Sequence, residues 1–215
     1  MEISSVEFKQ FLYGVIDMVE EQKDYFCELD RKIGDGDHGV TMSIGWQAVK
    51  EKLNEDLQDE TDIAKLSITA GKTFLSAVGS SVGPLYATGF MRGAKVAKGK
   101  DVLTGEEWKD YWVAFANGIQ ERGQAKVGDK TMVDTLAPFA EKLEEAYAES
   151  NDFYKAFEEA LVAGEVGMKS TIDIVSKLGR SSRLGERSLG AQDPGATSIY
   201  YILNMFFETM KQANV

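Results

Sequence analysis

Apolar residues recur at helical spacing along almost the whole chain. Leu12, Val15, Ile16 and Val19 form one face behind Ser4 and Glu7, which have the spacing of a capping box. Val49 and Leu53 continue such a face after a glycine-rich loop at 34–39, and Ile63, Leu66, Phe74 and Val78 predict a third helix. Pro84 is placed to open a fourth at its first position. Thr104 and Glu107 repeat the capping-box spacing ahead of Trp108, Trp112, Phe115 and Ile119. Residues 131–148 and 152–178 predict two further helices. Asp193 and Pro194 read as an N-cap and first turn leading into Tyr201, Ile202, Met205 and Phe206. Alternating strand patterns of useful length, Pro/Ser-rich linkers and 20–50-residue repeats are lacking. The pattern therefore predicts one all-α domain, residues 1–215, of about eight helices. The three prolines, Pro84, Pro138 and Pro194, are not expected to interrupt it, and glycines collect at the joints, where a helical bundle can build a site at one end.

Composition narrows the function classes. A 43 % hydrophobic fraction suits a globular domain, and 215 residues suffice for one well-buried core. The formal charge of -11 opposes nucleic-acid binding, which needs Lys and Arg to replace counterions along the phosphates. A phosphate ligand on so acidic a chain requires a metal or a local cluster of donors. One cysteine, Cys27, supports neither an internal disulfide nor a cysteine zinc site. The first ten residues do not form a signal peptide, and no apolar run is long enough to span a membrane, so a cytoplasmic location is expected.

The stretch Leu29–Gly39, LDRKIGDGDHG, carries the most chemistry. Asp30, Asp35 and Asp37 lie within eight residues, with glycines that let the backbone turn. Carboxylates so crowded repel one another unless a cation sits between them, which suits a hard metal held by oxygen, Mg or Ca. The plainer alternative is an Asp/Gly-rich surface turn with one aspartate capping a helix. Three string matches fail. Gly34, Gly36 and Gly39 have dinucleotide-motif spacing, but no buried strand precedes them and two aspartates inside the loop would repel a pyrophosphate. An EF-hand counted from Asp35 finds Val40 and Trp46 where glycine and glutamate are needed. A P-loop ending at Gly71-Lys72-Thr73 finds Leu66 where its first glycine belongs.

Four blocks occur in one order: this acidic loop, Gly79–Tyr86 (GSSVGPLY), Gly128–Asp134 (GDKTMVD) and Gly179–Ala196 (GRSSRLGERSLGAQDPGA). Together they resemble the L-subunit, or DAK2-domain, family of dihydroxyacetone kinases, over nearly the whole chain. The resemblance implies an antiparallel eight-helix up-and-down barrel with a nucleotide at one end. It assigns Asp30, Asp35 and Asp37 to Mg2+ bridged to the nucleotide phosphates, in keeping with the metal reading of the acids. It assigns nucleotide contacts to His38, Gly39, Val40, Thr41, Ser81, Val82, Gly123, Met132, Arg180, Asp193, Pro194 and Gly195. Arg180 is the cation expected to stabilise the transferring phosphoryl group.

Taken singly, Met132 also suits a core position, Arg180 and Arg187 suit surface cations, His38 suits a buried hydrogen-bonded histidine, and Asp193 suits a helix cap. The chain departs from the family pattern where Ser80 replaces a glycine, Val82 a serine, Thr41 an asparagine and Arg183 a tyrosine. Valine removes a hydroxyl from the phosphate turn.

The implied activity is phosphoryl transfer from Mg-bound ADP or ATP to a ketose on a separate K-type subunit. ADP would be a retained cofactor recharged by an M-type protein of the phosphotransferase system, or ATP would turn over. A homodimer is compatible with either. The alternative is a non-catalytic nucleotide-sensing partner with the same fold.

Overall fold

A computed structural model describes residues 1–213; residues 214 and 215, the end of the expected domain, lie outside it. Eight α-helices run in chain order among the described residues: α1 (Ser5–Ile33), α2 (His38–Glu55), α3 (Ile63–Ala77), α4 (Val82–Gly93), α5 (Gly105–Gly123), α6 (Met132–Ser150), α7 (Phe153–Ser170) and α8 (Pro194–Ala213). Each packs on the next, and α8 closes back on α1. Side chains from all eight fill the interior, including Phe11, Trp46, Phe74, Phe90, Trp112, Phe139, Phe157 and Phe206. The faces read from periodicity are the buried ones: Leu12, Val15, Ile16, Val19, Trp108, Trp112 and Phe206 are fully enclosed.

Alternate helices point opposite ways. The starts of α1, α3 and α5 meet at one end, where Ser5 and Ile63 donate backbone N–H groups to the carbonyls of Asp101 and Lys100, and Gly105 to that of Met1. The start of α7 joins them, since Phe153 lies directly over Gly105. The starts of α2, α4, α6 and α8 therefore gather at the opposite end.

The two ends are finished differently. At the first, all four helices carry side-chain caps: Ser4 on α1, Asp62 on α3, Thr104 on α5 and Asp152 on α7. At the second, Thr131 caps α6 and Asp193 accepts the N–H of Ala196 in α8. The N-cap positions of α2 and α4, Asp37 and Ser81, make no side-chain cap bond. The opening backbone N–H groups of Gly39 and Val40 in α2 and of Val82 in α4 are left for another acceptor.

Four expectations need correction. Two three-residue strands exist, β1 (Glu2–Ser4) and β2 (Val102–Thr104), paired antiparallel ahead of α1 and α5. They are too short for alternation to register. Pro84 is the third residue of α4, not the first; its missing N–H is unneeded there, because the first turn has no partner for it. Helix α7 stops at Ser170 rather than 178, passing into a 3-10 turn at Thr171–Asp173 and then an irregular segment. Asp30 is not in a loop at all, because α1 runs on to Ile33.

Pro138 sits inside α6 without ending it. It cannot donate to the Asp134 carbonyl one turn earlier, and Gly167 of α7 packs so tightly on that oxygen that a Cβ there would collide with it.

Candidate functional site: a cleft at the open helix ends

The second end holds a cleft of about 180 Å³ lined by Asp30, Asp35, Asp37, His38, Thr41, Ser81, Val82, Lys130, Thr131, Met132, Arg180, Asp193, Pro194 and Gly195, among others. A recess of about 350 Å³ adjoins it, sharing Ser81, Leu85, Thr131, Met132, Leu178 and Gly179. Its lining is mostly apolar and adds Pro84, Ile119, Gly123, Ala125 and Val133. The site thus has an acidic end and an apolar end.

The acidic end is organised by Asp30. Its carboxylate, only 9 % exposed, accepts the backbone N–H groups of Asp37 at 2.9 Å and His38 at 3.2 Å. That closes the turn from α1 to α2, and Gly36 takes the left-handed backbone the turn requires, at φ 78°. As a result Asp30, Asp35 and Asp37 each offer an oxygen, and these atoms lie within 4.8 Å of one another. Three hard oxygen donors at such separations, two of them open to solvent, fit a divalent cation that keeps several waters and bridges to phosphate oxygens. Arg180 reaches into the same group, paired with Asp35 and lying 3.6 Å from Asp37.

His38, the first residue of α2, is buried with Nε2 2.9 Å from the Ser198 hydroxyl. Burial pulls its pKa down to about 4, against a smaller upward pull from Asp30, so it is neutral near pH 7. Its plain role as a hydrogen-bonded buried histidine and its place in the cleft wall hold together. Met132 likewise is both core and lining: 4 % exposed, it forms part of the cleft and the recess. Asp193 caps α8 through the N–H of Ala196 at 2.7 Å while facing the cleft. Its burial, reinforced by Asp134, raises the carboxyl pKa to about 7.

Most of the residues expected from sequence come together here. Asp30, Asp35, Asp37, His38, Thr41, Ser81, Val82, Met132, Arg180, Asp193, Pro194 and Gly195 line the cleft, and Gly123 lines the recess. Two do not. Gly39 faces α1, where a Cβ would strike the Lys23 carbonyl oxygen and the Cys27 sulfur, and Val40 points outward. Their backbone N–H groups still belong to the open first turn of α2. Sequence reasoning did not assign Leu85, Thr131, Leu178, Ser181 or, above all, Lys130 to the site. The last is buried to 1 % exposure, which its residue type opposes. The hydroxyl of Ser80, one of the departures from the family pattern, is buried without a hydrogen-bond partner at the cleft edge.

Known proteins share this architecture and sequence. The chain is 37 % identical over 98 % of its length to the protein of Listeria innocua named PEP-dependent dihydroxyacetone kinase 2, ADP-binding subunit DhaL, covering 97 % of that protein. It is 37 % identical to the Escherichia coli PEP-dependent dihydroxyacetone kinase ADP-binding subunit DhaL, over 99 % of this chain and 100 % of that one. The crystal structure of the dihydroxyacetone kinase from C. freundii in complex with AMP-PNP and Mg2+ superposes with a TM-score of 0.68 at 22 % identity. That superposition covers 95 % of this chain and 33 % of the longer C. freundii chain, and shows the same fold. The DAK2 domain profile matches residues 32–208, and the chain belongs to the DAK2 domain family.

Proposed function

We propose that this chain is the ADP-binding subunit of a two-component dihydroxyacetone kinase, a single nucleotide-binding domain acting in the cytoplasm on a sugar held by a K-type partner. One observation carries the reading. The first turns of α2 and α4, whose N-cap residues make no side-chain bond and whose Gly39, Val40 and Val82 N–H groups have no protein acceptor among the described residues, open onto the same cleft as three convergent carboxylates. Open N–H groups bind phosphate oxygens, whereas carboxylates repel them; both serve one ligand only when a divalent cation lies between acids and phosphates. Nucleoside diphosphate with Mg2+ meets that requirement, and the apolar recess receives its base, with the Met132 side chain as a polarizable wall.

Asp30, Asp35 and Asp37 would hold Mg2+, which supplies charge neutralisation for the transferring phosphoryl group. The chain's own residues do the rest. The backbone N–H groups of Gly39 and Val40, between the already bonded His38 and Thr41, and the backbone of Ser81 and Val82 fix the phosphates. Val82 contributes no hydroxyl, so that grip is carried by main-chain donors at the start of α4. Arg180, exposed beside the acids, stabilises charge on the phosphoryl oxygens as transfer proceeds. Pro194 and Gly195 close the far wall.

The near full-length likeness to proteins named as ADP-binding subunits supports a separate sugar-bearing subunit. The near full-length match to subunits named PEP-dependent supports an M-type phosphotransferase-system donor recharging bound ADP, rather than ATP turnover. The test mixes this protein with a K-type subunit, dihydroxyacetone and Mg2+, with either ATP or the phosphoenolpyruvate relay. Dihydroxyacetone phosphate forming with the relay at catalytic ADP is the expected result; no ketose phosphorylation in any mixture rejects the proposal.

A further inference from the structure

Between α7, which ends at Ser170, and α8, which starts at Pro194, the chain leaves the barrel and passes over the cleft. This stretch, 171–191, delivers Leu178, Gly179, Arg180 and Ser181 to the site. It has no large fully buried apolar side chain: its buried members are Thr171, Ser176, Ser181, Ser188 and Ala191, and Ile172, Ile174, Val175 and Leu184 are only half-buried. Left-handed glycines at 179, 185 and 190 interrupt it, and none has a neighbour that would oppose a side chain. A segment so polar and so rich in free joints has little hydrophobic reason to stay at one height.

What holds it is the ammonium of Lys130. Its Nζ donates to the carbonyl oxygens of Ser188 and Ala191, both at 2.6 Å, and of Thr171 at 2.7 Å, with Ile174 at 3.2 Å as a longer fourth acceptor. Two acceptors belong to the entry of the segment and two to its exit, so one side chain joins both ends. Internal bonds complete the fold-back: Ser176 N–H to the Ser188 hydroxyl at 2.9 Å, and Gly190 N–H to the Ile172 carbonyl at 2.8 Å. Neighbouring Asp129 adds a weaker tie, its carbonyl accepting the Lys177 N–H at 3.1 Å.

The other end of Lys130 is the cleft floor. It immediately precedes Thr131, the cap of α6, and Met132. Its own backbone is left-handed at φ 63°, a conformation uncommon for a non-glycine residue and kept only where the surroundings require it.

We propose that Lys130 is a positioning residue for phosphoryl transfer: its ammonium, caged by the carbonyls of Thr171, Ile174, Ser188 and Ala191, fixes the 171–191 segment at the height that brings Arg180 to the phosphates. The inference rests on the nucleotide reading of the cleft for its consequence, and on geometry alone for the latch.

Lys130→Gly tests it, because glycine adopts the left-handed backbone freely and leaves room for n-butylammonium, the missing side chain as a free molecule. The first readout needs no nucleotide: tryptic cleavage after Lys177, Arg180, Arg183 and Arg187, followed by mass spectrometry. Cleavage there should quicken about tenfold or more with helical circular dichroism retained. Butylammonium should slow it again, and tetramethylammonium, which has no N–H to donate, should not. In the complete phosphorylating mixture kcat should fall while KM for the ketose holds, and butylammonium should restore kcat. Unchanged cleavage in folded Lys130→Gly, or equal rescue by tetramethylammonium, overturns the latch. Quickened cleavage with unchanged kcat overturns the positioning role.

Should Lys130→Gly fail to fold, Lys130→Met keeps the apolar stem and removes only the donors. Unfolding of both variants, with and without butylammonium, overturns the proposal by making Lys130 a determinant of the whole barrel. A wild-type protein that binds no Mg-nucleotide would instead sink the kinase reading, leaving the cleavage result intact.

Discussion

The Asp30 carboxylate holds the backbone N–H of His38, and in doing so joins the last turn of α1 to the first turn of α2. One aspartate is therefore both a metal-facing acid and the fastener of the turn that aims the other two. Asp35 and Asp37 have no such second duty; their side chains are about half exposed and face solvent and Arg180. The three acids should separate on mutation. Asp35→Asn and Asp37→Asn are expected to weaken Mg-dependent ADP binding by at least about tenfold, with thermal stability unchanged. Asp30→Ala should do that and also destabilise the fold by about 1–3 kcal/mol, because two N–H groups lose their acceptor. Calorimetric titration of ADP with and without Mg2+, beside thermal melts, distinguishes the two patterns. Equal melting losses for all three would contradict the division.

Arg180 pairs with the acids through an exposed guanidinium, so its contribution to folding is small. Its weight should fall on the transition state. Arg180→Ala is expected to lower kcat about 10²–10³-fold, with a much smaller change in Mg-ADP affinity. Arg180→Lys should recover only part, since a point charge replaces a planar fork of donors. A variant losing ADP affinity and kcat by the same factor would reassign Arg180 to ground-state binding.

Gly39 was expected to touch nucleotide, but its Cα faces the Lys23 carbonyl of α1. Gly39→Ala should consequently act as an overpacking change, forcing α2 off α1 at a cost of about 1–3 kcal/mol. Chemical denaturation would report that loss. Val40→Ala, on the outward face of the same turn, should be nearly silent in both stability and ADP binding. Silent Gly39→Ala would mean that the two helices are looser than their packing indicates.

Most of the eight helices were legible because they bury a stripe at helical spacing, and because Ser4, Thr104 and Asp193 announce their caps with short polar side chains. The acids were legible as a crowd of like charges with no visible partner. The segment 171–191 was not. Its order comes from a lysine 41 to 61 residues upstream in sequence donating to carbonyls, and main-chain acceptors leave no mark on residue choice. Ile172, Ile174, Val175 and Leu178 continue the apolar pattern beyond Ser170, so periodicity ran past the true end of α7. The packing duty of Gly39 against α1 was hidden for a related reason: a glycine required by helix–helix contact looks the same as one required by a ligand.

Asp193 offers a pH test of the cleft's back wall. Burial raises its pKa from its ordinary value of 3.8 to about 7, aided by Asp134 and opposed by the Ala196 N–H and by Lys130. The folded protein thus prefers the protonated acid, while the unfolded chain releases the proton near its ordinary pKa. The resulting stability is fully present below pH 3.8 and is lost as the pH rises through 7. Asn in its place cannot titrate, yet its carbonyl oxygen can still accept the Ala196 N–H. The stability difference between wild type and Asp193→Asn should therefore shift against the wild type as pH climbs from about 4 to about 7, by up to about 1.4 kcal/mol per pH unit, and then level off. Denaturant melts of both proteins at half-unit intervals would show it, because the other carboxylates titrate identically in the pair and cancel. A difference that stays flat across this window would mean the carboxylate is ionised in the fold and that Lys130 holds it so.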